Sequence, residues 1–109
     1  MTPNELGNRD FQRAPDIDRV VHEPARLLIL ALLHVVQSAD FLFLLNQTGL
    51  TKGNLSSHLS KLEEAGYIEV RKEFVEKIPR TLLRITPRGR EALLIYRRSM
   101  MQILGGLPE

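Results

Sequence analysis

Between residues 51 and 65 of this 109-residue chain, Leu55, Leu59 and Leu62 recur at spacings of four and three. That spacing is a single apolar stripe on an α-helix. The opposite face then presents Lys52, Gly53, Asn54, Ser56, Ser57, Ser60 and Lys61, with no acid before Glu63. Small side chains let a helix backbone approach another surface closely. Asn and Ser can hydrogen-bond the edges of bases, and Lys can reach guanine or phosphate. Thr51 is a good N-cap, and the positive helix N-terminus near Thr51 and Lys52 suits a phosphate. The ordinary alternative is a solvated face, but such faces usually carry more Glu and longer side chains. His58 lies beside the stripe, three residues after Leu55. Two fates are open to it, a half-buried structural role or a contact to a nucleic-acid backbone.

Other chemistries find no support in the sequence. His22, His34 and His58 are far apart and form no close ligand pair with a carboxylate. The adjacent His22-Glu23 reads as an exposed loop pair. The absence of Cys excludes disulfides, Cys-ligated zinc or iron–sulfur sites and thiol redox chemistry. There is no Gly-rich phosphate loop, no nucleophile elbow and no carboxylate pair in an apolar setting. Neither an enzyme nor a cofactor-binding protein is expected.

The charge distribution points the same way. A total of 15 Lys and Arg against 13 Asp and Glu leaves only +2. Residues 1–23 carry net −2, residues 24–50 and 91–109 carry none, and residues 51–90 carry +4. A basic excess confined to one segment is the footprint of a polyanion partner. For charge taken alone, a mixed solvated face is the better explanation. The order of elements within the segment decides between them.

Residues 1–15 read as a flexible tail with two Pro, a Gly and no periodicity. Ile17, Val20 and Val21 suggest a short helix over 16–21, and Pro24 either stops it or begins the next. From Pro24 to about Val36 the chain is apolar almost all round, more than one small core can bury, so part of this helix is expected on a second subunit. Ser38 is the expected N-cap of a helix over 39–46, and Gln47-Thr48-Gly49 turns into the helix of residues 52–65. Gly66 ends that helix. The period then changes to 2: Ile68, Val70 and Phe74 fall on one face, with Lys72 as the polar exception. Glu76-Lys77-Ile78-Pro79-Arg80 is a basic tip with Pro79 as breaker, and 81–85 returns as a second strand. Thr86-Pro87 starts a last helix running to about Leu104, and Gly105-Gly106 ends it, leaving 105–109 as a tail.

Helix, helix, turn, helix, hairpin, helix is the layout of a winged helix-turn-helix: mainly α with a β-hairpin (α+β), a three-helical core plus a wing and a C-terminal dimerisation helix. The stretch from Leu50 to Ile68, containing His58-Leu59 and Leu62-Glu63-Glu64-Ala65-Gly66-Tyr67-Ile68, resembles the recognition helix and first wing strand of MarR/ArsR-type regulators. With Ala39-Asp40-Phe41, Pro79-Arg80-Thr81 and Leu83-Arg84-Ile85-Thr86-Pro87-Arg88-Gly89, it is similar to a small family of stand-alone winged-helix DNA-binding proteins. The similarity covers residues 17–104. It implies a homodimeric transcriptional regulator that places its third helix in the major groove of double-stranded DNA.

The residues assigned to DNA are Thr51, Lys52, Asn54, Ser56, Ser57, His58, Ser60 and Lys61 on the helix, with Arg71, Lys77, Arg80 and Arg84 on the wing (67–85), which lies on backbone or minor groove. Leu28, Leu32, Leu93, Tyr96, Met100 and Ile103 are assigned to the dimer interface, and Phe41 and Phe43 to the core. Residues 16–104 make one domain for both tasks. Two other readings stand beside this one, a protein–protein adaptor and a regulator answering a small effector that the sequence does not identify. The longest apolar run, Leu27–Leu33, is too short to span a bilayer. A polar, mixed-charge N-terminus is no signal peptide, so a cytoplasmic location is expected.

Overall fold

Each of the four long helices begins where a side chain takes over an orphan backbone donor. In a computed structural model that describes residues 2–6 and 15–109, the elements are α1 (Pro3–Leu6), α2 (Pro24–Val36), β1 (Ser38–Asp40), α3 (Phe41–Thr48), α4 (Lys52–Glu64), β2 (Ile68–Val75), β3 (Ile78–Ile85) and α5 (Pro87–Leu104). Glu23 caps α2 by accepting from the Arg26 N–H at 2.8 Å. Asp40 accepts from Phe43 at 2.8 Å, Thr51 from Asn54 at 3.1 Å and Thr86 from Gly89 at 3.0 Å. Each such cap contributes about 1 kcal/mol. Gly49 (φ 68°) and Gly66 (φ 78°) close α3 and α4 in the left-handed conformation that only glycine adopts freely.

The three strands form an antiparallel sheet in the order β1-β3-β2. The arrangement is a winged helix: α2, α3 and α4 pack as the helical core, and β2–β3 is the wing. The core holds Val21, Ile29, Leu30, Leu33, Leu44, Leu55, Leu59, Leu62, Ile68, Leu83, Ile85 and Leu93. Every one of the three leucines of the α4 stripe is in it. No helix among the described residues is long and apolar enough to cross a membrane.

Several sequence expectations change. The segment 16–21 is not a helix but a turn, because the Asp18 carboxylate accepts from the Val20 and Val21 N–H groups at 2.9 and 3.2 Å. A short Asx side chain competes with the helical ladder in this way. Ser38 is not a cap. Residues 38–40 form β1, paired Ser38↔Arg84, Ala39↔Leu83 and Asp40↔Leu82, and α3 starts two residues later than expected. The wing turn is only Glu76-Lys77, both at positive φ (51° and 67°), and Pro79 lies inside β3 opposite Phe74. Alternation from the Val75↔Ile78 pair beside the turn points the Pro79 nitrogen away from β2, so the missing N–H costs no ladder bond there. Of the expected N-terminal tail, Met1 and residues 7–14 lie outside the described residues, and Pro3–Leu6 forms one helical turn.

Candidate nucleic-acid interface

Burying Leu55, Leu59 and Leu62 fixes the roll of α4 about its own axis. The roll leaves Thr51, Lys52, Gly53, Asn54, Ser56, Ser57, Ser60 and Lys61 exposed. None of the three ion pairs among the described residues engages Lys52 or Lys61. Both ammonium groups are therefore available to an external anion, and they flank the small hydroxyl and amide side chains. Gly53 has nothing within 4 Å of where a Cβ would stand. Its lack of a side chain answers no packing need inside the chain.

His58 is separated from that face. Its side chain is only 20 % exposed, and its Nδ1 lies 3.2 Å from Arg26 Nη1 and 3.6 Å from Glu23 Oε2. Arg26 is itself buried, donating through Nε to the Val20 carbonyl at 2.6 Å and through Nη2 to the Arg19 carbonyl at 3.3 Å. Burial raises the Glu23 pKa, but N–H bonds from Arg26 and Ala25 and the charges of His58 and Arg26 outweigh it, holding the carboxyl below the usual range. The sequence assignments missed Arg26, and no local pattern marks it. Its role is to fasten the 16–23 turn to α4. Replacing Arg26 by Ala strands two carbonyls and frees His58. We expect a loss of about 2 kcal/mol of stability, read as an earlier thermal transition; an unchanged midpoint would refute the fastening role.

The wing divides its cations between two faces. Ile68, Val70, Lys72 and Phe74 share the core-side face of β2 with Thr81, Leu83 and Ile85 of β3, as the register requires. Arg71, Arg80 and Arg84 fall on the other face, with Glu69 and Glu73. There Arg84 pairs with Glu69 at 3.5 Å and Arg80 with Asp40 of β1 at 3.7 Å. These three arginines are thus not gathered onto the α4 side, and two of them already have acidic partners. Lys77 occupies the turn. Lys72, which the sequence also offers as a wing cation, is the one cation on the core-side face of the hairpin. The period-2 pattern carried its signal, as the polar residue between Val70 and Phe74.

α2 and α5 enclose an open apolar groove of about 570 Å³ that no residue of α4 lines. Leu27, Ala31, Val35, Leu93, Leu94, Tyr96, Met100, Met101 and Leu104 line it. Of the residues assigned to an interface, Tyr96 and Met100 line this groove and Leu28 and Ile103 are exposed nearby, while Leu32 is half-buried. Leu93 differs: it is buried in the chain's own core and shows only its edge on the groove floor. Phe43, expected in the core, is exposed. Tyr96 is held in place by a 2.9 Å hydrogen bond between its hydroxyl and His22 Nδ1. Tyr67, at the root of the wing, donates its hydroxyl to Asp18 Oδ2, and Arg88 stands 6.0 Å from its ring centroid. Burial, then the Asp18 bond and charge, push the Tyr67 pKa up to about 12. No cluster of three His, Asp or Glu side chains fit to hold a metal occurs among the described residues.

Comparison with known proteins agrees with this fold. An uncharacterized protein of Methanocaldococcus jannaschii is 35 % identical over 85 residues, covering 78 % of this chain and 92 % of that protein. The structure of a transcriptional regulator homologue from Pyrococcus horikoshii superposes with a TM-score of 0.80 at 27 % identity, covering 97 % of this chain and 96 % of the other. A MarR-family regulator from Silicibacter pomeroyi shares the fold alone, with a TM-score of 0.57 and 21 % identity over 83 % of this chain and 62 % of its own. The two structural relatives are described as a transcriptional regulator homologue and a MarR-family transcriptional regulator. A family profile described as a winged helix DNA-binding domain matches residues 25–104. With the stripe of α4, the wing and the caps of α3, α4 and α5 falling inside that match, the chain belongs to the winged helix DNA-binding domain family.

Proposed function

We propose that this chain is a homodimeric transcriptional regulator that binds double-stranded DNA sequence-specifically through residues 16–104. In this reading α4 enters the major groove. Lys52 and Lys61 neutralise phosphates on either side, and Asn54, Ser56, Ser57 and Ser60 meet base edges. Thr51 presents the helix N-terminus to the backbone. His58 acts indirectly, by tying α4 to Arg26 and Glu23. One observation carries the reading: the whole solvent face of α4 before Glu63 is small, polar or cationic, while its other face is locked into the core. A protein-binding adaptor has no use for that combination.

The groove between α2 and α5 supports dimerisation, since a chain of this size seldom leaves so much apolar surface open to water. Light scattering after size exclusion at micromolar concentration is expected to give twice the 12.4 kDa protomer, and Leu28→Glu is expected to shift the mass toward one. A 12.4 kDa species for the unaltered chain would refute the dimer. The DNA reading is tested by selecting bound duplexes from a random pool. The expected consensus is a palindrome with half-sites about one helical turn apart. Failure to enrich any sequence would overturn specific binding.

A further inference from the structure

The wing extends well past the part of it that packs. Val70 and Leu83 are the last pair seated on the core, and Phe74 stands four residues beyond Val70, about 13 Å farther along the strand. Out there Phe74 is 76 % exposed and Ile78 67 %, with Val75 and Pro79 exposed beside them. A hairpin tip that only had to touch phosphates would carry polar side chains at these positions. Lys72 shares the Phe74 face and Lys77 stands in the turn, whereas Glu73 points to the other face, in register with Arg80.

With the wing on the minor groove, as the sequence resemblance implies, we propose that Phe74 acts as a wedge against a base-pair step there and bends the duplex. This rests on the DNA-binding reading and adds to it how the second contact is made. The reach of the tip exceeds the minor-groove depth of about 7.5 Å, so an apolar side chain at residue 74 can arrive at the floor. Lys72 and Lys77 fit the negative potential between the two backbones. Apolar side chains inserted from the minor groove unstack a step and kink DNA toward the major groove. The two-residue turn and the Phe74–Pro79 pairing keep the tip stiff enough to push against base stacking. The wedge favours easily unstacked pyrimidine–purine steps, and so contributes to specificity at a position that no side chain of α4 touches.

The test uses the full chain and a duplex of about 30 base pairs taken from the random-pool selection, with a donor dye on one end and an acceptor on the other. The unaltered protein is expected to raise energy transfer as a bend of about 40° would. Phe74→Ala is expected to abolish the bend and weaken binding about tenfold, with little change in melting temperature because the side chain lies outside the core. Phe74→Leu is expected to restore much of the bend. A bound duplex that stays straight, or one bent equally by Phe74→Ala, overturns the wedge while leaving the DNA reading intact. Loss of dimer mass in Phe74→Ala without loss of the bend would assign the tip to a second copy and likewise overturn it. Absence of any bound duplex overturns both.

Discussion

Gly89→Ala is expected to lower the midpoint of thermal unfolding by about 15 °C. A Cβ on Gly89 would stand 2.1 Å from the Tyr67 carbonyl oxygen and 3.0 Å from Ile85 Cγ1. The first of these neighbours is backbone and has no rotamer to yield. Nor is it free to shift, since the same oxygen accepts from the Thr86 N–H at 3.0 Å. Thr86 Oγ1 also donates to the Gly66 carbonyl at 2.7 Å while accepting the Gly89 N–H. The start of α5 is therefore stitched to the end of α4 across the root of the wing, and a methyl group must unpick at least one stitch. Overpacking of this kind costs about 1–3 kcal/mol, and each hydrogen bond lost adds about 1. A total near 3 kcal/mol corresponds to the stated shift for a domain of this size. Gly53→Ala is the matching control, because the same methyl group there meets open space. A melting point within a few degrees of the unaltered chain for Gly89→Ala would show that the α4–α5 junction is not held as described.

That junction also separates what the sequence discloses from what it does not. Thr51, Gly66 and Thr86-Pro87 were readable as punctuation because a cap or a left-handed residue acts on donors and carbonyls within a few positions. The leucine stripe of α4 was readable because its burial follows from its own spacing. β1 was not, since Ser38-Ala39-Asp40 has no alternation and becomes a strand only through pairing with residues 82–84. The sequence places the wing tip at 76–80, longer than the observed two-residue turn, because Glu76 and Lys77 carry none of the Gly or Asn usual at positive φ. Phe74 shows a different limit. Alternation assigned it to the face of Ile68 and Val70 correctly, but period alone does not say where along a strand the core stops. Arg26 is the counterpart inside: a charge in an apolar helix whose burial depends on carbonyls six and seven residues earlier and a histidine 32 residues later.

For DNA binding the largest expected effect is that of removing Lys52 and Lys61 together. Each ammonium group is exposed and free of any ion pair among the described residues, so truncation to Ala takes nothing from the fold beyond about 0.5 kcal/mol. In the proposed dimer the double variant deletes four cations facing phosphates. At roughly 0.7 kcal/mol for each exposed contact, affinity near physiological salt falls about 100-fold. The change in salt dependence is the sharper measurement. Counterion release makes log K fall with log salt by about 0.9 per neutralised phosphate, so losing four flattens the slope by about 3 to 4. An arginine on the outer face of the wing behaves differently. Arg84 already has Glu69 at 3.5 Å, and Arg84→Ala is expected to leave the slope nearly unchanged. If the double variant kept both affinity and slope in a salt titration, α4 would not be the element facing the phosphates. If instead Arg71, Arg80 and Arg84 carried the slope, the duplex would lie on the outer face of the sheet, the side that the burial of Leu55, Leu59 and Leu62 turns away from α4.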